Sequence, residues 1–245
     1  SIKRMDQGLG VRAVYRKAVG FSYTNTLTDK NIEEAAARAF RAARASRSDR
    51  NWVKFPSPGK FGAPNGTYDK KIVGLSSDEL VETAAVMLGA VEAYDKRVLA
   101  VDGGVGTSLF STVVVNSHGV EAYDRGTAVA CSMETIARDG ADVTPACYEV
   151  SAERVYDIDP EGVGAEAARQ AVSSLKAEKI ESGAFPVIFA QAAFRSLLYY
   201  TLINAVKADY VQRERSALKD KIGEKVASEL VTVYDDGLLE GGLLT

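Results

Sequence analysis

Hydrophobic and polar positions change period several times along the chain. In GVRAVYRKAVGFSYTN (10–25), Val11, Ala13 and Tyr15 alternate with Arg12 and Arg16. This period-two pattern, with Gly20 as the break, predicts a hairpin. From Thr28 the period lengthens: Ile32, Ala35, Ala36, Ala39, Phe40 and Ala43 fall on one face of a helix over 28–46, with Thr28 or Asp29 as its cap. Residues 47–71 are rich in Pro and Gly and read as a long surface loop. A second helix follows in SSDELVETAAVMLGAVEAYD, opened by a Ser76 to Glu79 capping box.

Between 98 and 157 the sequence turns to Val, Thr and Tyr. Four strands are predicted in VLAVDGGVG, TSLFSTVVVNS, GVEAYDRGTAVACSMETIA and TPACYEVSAERVYDI, with turns at Gly103-Gly104, NSHG and RDGAD. A helix then starts at Asp159 as cap with Pro160 in its first position. AFPVIFA predicts a short buried strand running into a helix over QAAFRSLLYYTLINAV, and SELVTVYDD predicts a last strand. Runs of strands without regular βαβ alternation give an α+β fold. The expected architecture is an antiparallel β-meander with flanking helices (1–180), followed by the strand–helix–strand start of a second β-rich domain (181–245). The opening without methionine and the ending DDGLLEGGLLT read as those of a fragment or a clipped product.

Composition changes this picture little. The 245 residues are 46% hydrophobic and 26% charged, ordinary for a globular protein. A net charge of −3 gives no global attraction to nucleic acid or anionic membrane. No apolar run reaches the length of a membrane span, and a cytoplasmic location is the default. The two cysteines, Cys131 and Cys147, are expected as free thiols. DGGVG lacks the Lys-Ser/Thr of a phosphate loop and reads as a turn. Arginines 38, 41, 44, 47 and 50 recur every three residues and so fan around a 3.6-residue helix as a solvated face. His118, the single histidine, lies in a turn beside Ser117. One imidazole cannot supply the several histidines usual in hydrolytic zinc sites.

The apolar helix LLYYTLINAV (197–206) carries Tyr199, Tyr200 and Asn204, which on their own read as core or surface packing. Their surroundings add more. GAFPVIFA, this helix, SALKDKIG and VASELVTVYDD stand in the order of conserved-type blocks of the TldD/PmbA family of peptidase-related proteins. GLGVRAVYRKAVGFSYTN, VVVNSHGV and DPEGVGAEAARQAV are similar to its N-terminal part, so the chain resembles that family over nearly its whole length. The TldD branch of the family carries His-Glu-x-x-x-His on this helix, two imidazoles for zinc and a glutamate to activate water. Counting back from VASEL, those positions fall on Tyr199, Tyr200 and Asn204. A phenol with a pKa of about 10 and a neutral amide are poor zinc ligands, and no carboxylate stands in the general-base position.

The resemblance therefore implies the PmbA (TldE) branch, with no metal in this chain and no catalytic residues. Tyr199, Tyr200 and Asn204 would be the relic of a metal-site frame. It also implies a TldD-like metallopeptidase subunit as partner, with zinc only in that subunit and unfolded peptides as substrate, and it leaves a homodimer open when the partner is missing. Two other readings stand beside it: an active hydrolase with unrecognised ligands, and a regulator or binder of a DNA-handling protein using the 38–50 arginines.

Overall fold

A computed structural model of the chain describes residues 2–60, 62 and 64–243. The fold is α+β, with antiparallel sheets and flanking helices. Strands β1 (Leu9–Tyr15) and β2 (Ala18–Thr24) form a hairpin with Tyr15 opposite Ala18. The turn is thus Arg16-Lys17, four residues before the expected break at Gly20. Gly20 has a different use. A Cβ there would sit 2.2 Å from the Ala39 carbonyl oxygen and the Ala43 nitrogen, because helix α1 (Asp29–Ala45) lies directly on β2. The helix presents Ala35, Ala39 and Ala43, all buried, to the hairpin. Thr28 caps it by accepting from the Asn31 N–H, satisfying one of the orphan donors of the first turn.

The long loop is partly ordered by the hairpin beyond it. The His118 ring lies 3.1 Å through Nδ1 from the Phe55 carbonyl, and the Asn116 amide donates to the Pro56 carbonyl at 2.9 Å. The loop runs into α2 (Lys70–Gly74), capped by Asp69, and then α3 (Ser77–Tyr94), where both halves of the Ser76–Glu79 capping box are formed.

Strand β3 (Val98–Val115) pairs along its length with β4 (Glu121–Asp139). DGGVG is therefore not a turn. The strand runs through it, with Gly103 opposite Met133 and one irregularity between Ala100 and Asp102. A Cβ at Gly103 would come within 2.8 Å of the Ser132 carbonyl oxygen and 3.2 Å of the Met133 sulfur. Here the glycine makes room rather than supplying a turn dihedral. The short β5 (Asp142–Val143) and then β6 (Cys147–Glu153) both pair with β4, so the main sheet has the order β3-β4-β6, a meander. Cys131 and Cys147 are free. They do not face each other, since Cys147 pairs with Thr135 and Cys131 with Ser151. Burial pushes the Cys131 thiol pKa up, which keeps it protonated and inert.

Helix α4 (Pro160–Ser173), capped by Asp159, packs with α3 over one face of this sheet. The β4 residues Cys131, Met133 and Ala137 meet Met87 and Val91 of α3 and Val163, Ala167, Ala168 and Ala171 of α4. The alanines and Gly164, whose added Cβ would lie 2.2 Å from the Met87 carbonyl, bring the helices close. Burying side chains of this size stabilises by about 1.5–3 kcal/mol for each large one.

The remainder contains α5 (Gln191–Tyr200), α6 (Leu202–Val206) and α7 (Ala208–Gln212), none with a buried residue. Residues 184–190 and 228–236, expected as strands, pair with no ladder among the described residues. Their apolar side chains carry strand propensity, but a strand exists only when a neighbour takes its N–H and C=O groups. No described helix is long and apolar enough to cross a membrane.

Candidate functional site

The helix expected over QAAFRSLLYYTLINAV breaks at Thr201, whose φ of −113° and ψ of −82° separate α5 from α6. The Thr201 hydroxyl donates back to the Leu197 carbonyl at 2.6 Å, a local bond that competes with helix continuation and bends it. Tyr199 and Tyr200 end α5, and Asn204 lies in α6 across the break. The three stay together. The tyrosine rings meet edge to face with centroids 5.2 Å apart, and the Asn204 amide donates to the Tyr199 carbonyl at 3.4 Å.

Burial does not explain the tyrosines, which are 56% and 76% exposed. The Asn204 amide oxygen, the one donor atom here suited to a cation, already accepts from the Lys207 ammonium at 3.0 Å. A metal ion there would have to displace that ammonium and then rely on neutral phenols and one neutral amide. This donor set does not fit zinc. Among the described residues no three His, Cys, Asp or Glu side chains are grouped to hold a metal. Two surface depressions lie elsewhere. One of about 610 Å³ is lined by Phe21, Tyr23, Asn31 and Arg38, and one of about 430 Å³ by Met87, Leu88, Val101 and Met133.

The other candidates disperse. His118 sits in its turn, its ring engaged with Phe55. Arg38 pairs with Glu34 and donates to the Ser22 hydroxyl and the Tyr23 carbonyl.

One constellation was not legible in the sequence. Arg154, just past β6, is 1% exposed. Its guanidinium donates to the carbonyls of Thr67, Gly242 and Leu243 and stacks on Phe110, 4.9 Å from the ring centroid. Gly126 makes the space, since a Cβ there would fall 2.1 Å from the guanidinium. Around it the Thr127 N–H donates to the Thr67 carbonyl, the Asp69 N–H to the Thr127 hydroxyl, and the Tyr156 N–H to the Asp69 carboxylate. These bonds pin residues 67–69 and 242–243 to the sheet. An arginine at a strand end reads as exposed, and only the lone Gly126 in a strand of larger residues hinted that something lay across it.

Three family models match in sequence order: PmbA/TldA metallopeptidase domain 1 over residues 4–43, the central domain over 70–175 and the C-terminal domain over 182–245. An uncharacterized protein of Methanocaldococcus jannaschii is 31% identical over 96% of this chain and 53% of its own length. Metalloprotease PmbA of Escherichia coli O157:H7 is 26% identical over 97% of this chain and 53% of its own. The crystal structure of TldE from Thermococcus kodakarensis superposes with a TM-score of 0.76 at 27% identity, covering 89% of this chain and 49% of that one. The chain thus spans about half the length of each relative. With all three domain models matched in order and the same fold in a solved relative, the chain belongs to the PmbA/TldD family of metallopeptidase-related proteins.

Proposed function

We propose that this chain is a non-catalytic, TldE-like subunit that works with a TldD-like metallopeptidase on unfolded peptides. The observation that carries the reading is the donor set of the tyrosine helix. By the resemblance, Tyr199, Tyr200 and Asn204 would stand where the TldD branch holds His-Glu-x-x-x-His, and the Asn204 oxygen is taken by Lys207. Similarity to a TldE structure supports the same branch. Zinc and the activated water would belong to the partner. This chain would contribute wall and interface, with Tyr199 and Tyr200 able to stack against or hydrogen-bond a peptide. A cytoplasmic location is part of the proposal and agrees with the two free thiols.

The test is co-expression with a TldD-like subunit, followed by size-exclusion chromatography and a peptidase assay on an unfolded polypeptide. Co-elution, with chelator-sensitive hydrolysis only in the mixed fraction, is expected. Hydrolysis by this chain alone, abolished by a chelator, would overturn the reading in favour of an active hydrolase.

A further inference from the structure

Charge is unevenly divided along this chain. Residues 7–28 and 35–68 together hold ten Lys and Arg but a single carboxylate, Asp49. The rest of the chain carries the other 20 Lys and Arg and the other 32 Asp and Glu. The fold gathers part of the basic set at one place. The β1–β2 turn consists of Arg16 and Lys17, both left-handed, with φ of 50° and 66°. Two-residue turns of this kind are normally built from Asn-Gly, because other side chains are strained there. Two long cations stand in their place. The turn is held by the Ser48 hydroxyl donating to the Arg16 carbonyl and the Asp49 N–H donating to the Lys17 carbonyl, each at 3.0 Å. These bonds also bring the neighbouring Arg47 to the turn. Arg16 and Arg44 both lie against the Tyr15 ring, their guanidinium carbons 5.2 and 6.0 Å from its centroid.

Arg16, Lys17, Arg44 and Arg47 are exposed. Among the described residues none of them forms an ion pair. Asp49 does not neutralise them through a side-chain bond, since its carboxylate accepts from the Asn51 N–H. Like charges crowded at a strained turn, without counterions of their own, are held against repulsion by the rest of the fold. Strain of this sort concentrates where it serves a function.

We infer that this cluster is a docking site for a short acidic segment of another protein. Guanidinium forks suit carboxylates, and the cations gathered at this turn match a run of a few Asp or Glu. Two observations favour an acidic segment over nucleic acid. The α1 arginines fan around the helix, so they form no stripe along which a phosphate backbone could run. The acidic remainder of the chain repels a long polyanion, whereas a short segment feels only charges within about 8–10 Å. The inference does not rest on the reading of the tyrosine helix.

The test is fluorescence anisotropy of rhodamine-labelled hexaglutamate with the whole protein, beside a single-stranded oligonucleotide of equal charge. Two variants are compared with the parent, Arg16→Asn/Lys17→Gly and Arg44→Gln/Arg47→Gln. The first installs the preferred turn residues, so it folds at least as well as the parent while losing two cations. Hexaglutamate binding is expected at low salt, lost at about 0.5 M, and weakened roughly tenfold in each variant, as for two lost charge pairs. Absence of binding at low salt, or binding by both variants as tight as by the parent, would overturn the inference. Tighter binding of the oligonucleotide would also overturn it, and would assign the patch to nucleic acid.

Discussion

Single residues decide where this chain can pack. Gly20 allows the hairpin to approach the α1 backbone, so Gly20→Ala, whose Cβ would lie 2.2 Å from the Ala39 oxygen, must push the two elements apart. A loss of about 1–3 kcal/mol is expected from overpacking, read as a lower urea midpoint with an unchanged slope. The opposite sign is expected at the turn. Arg16→Asn/Lys17→Gly relieves two left-handed side chains and should raise stability by about 0.5–1 kcal/mol in the same measurement. Tyr199, Tyr200 and Asn204 are a third case. The rings are more than half exposed and α5 buries nothing, so replacing all three by alanine should change the stability of this chain by no more than about 0.5 kcal/mol. A much larger loss would show that they serve packing rather than a site.

At the scale of elements, what could be read in advance was local. The caps at Thr28, Ser76 and Asp159 and the helices behind them depend on residues three or four apart, and all three formed as the sequence implied. The meander was legible from its alternation, but its length was not. The glycines of DGGVG resemble a turn, while Gly103 makes room for the Ser132 carbonyl and the Met133 side chain within the ladder. The true first turn, Arg16-Lys17, carries no turn residue at all. Residues 184–190 and 228–236 have strand composition, but pairing is a property of two segments and cannot be inferred from one. The candidate helix was legible as a helix, and its break at Thr201 was not, because a threonine back-bond depends on local geometry.

Two carboxylates join elements and should make stability depend on pH. The Asp95 carboxyl is held down at about 2 by side-chain bonds from Arg97 and then by the Arg97 N–H, and Asp69 is lowered by the N–H groups of Tyr156 and Lys71. A depressed carboxyl pKa contributes stability that is fully present above the ordinary value near about 4 and is lost as pH falls. The urea midpoint should therefore decline from about pH 4 downward, for Asp95 through about 2. Asp95→Asn should lower the midpoint at neutral pH and make the acid decline shallower. An unchanged acid limb would contradict this role.

Across the whole molecule, the chain divides by how much it buries. The hairpin with α1 and the sheet with α3 and α4 hold nearly every buried residue, Arg154 and Ile72 lying beside them, while residues 181–243 hold none. The Arg154 cluster is where these two regimes meet, through the carbonyls of Gly242 and Leu243. The functional claim lies in the second regime, on a helix whose donors are unsuited to zinc. Zinc content tests it most directly, measured by elemental analysis of the purified protein after removal of any affinity tag. The account predicts a negligible amount per chain. Roughly one tightly held zinc per chain, the content of a single mononuclear site, would contradict it and make this chain a metallopeptidase in its own right.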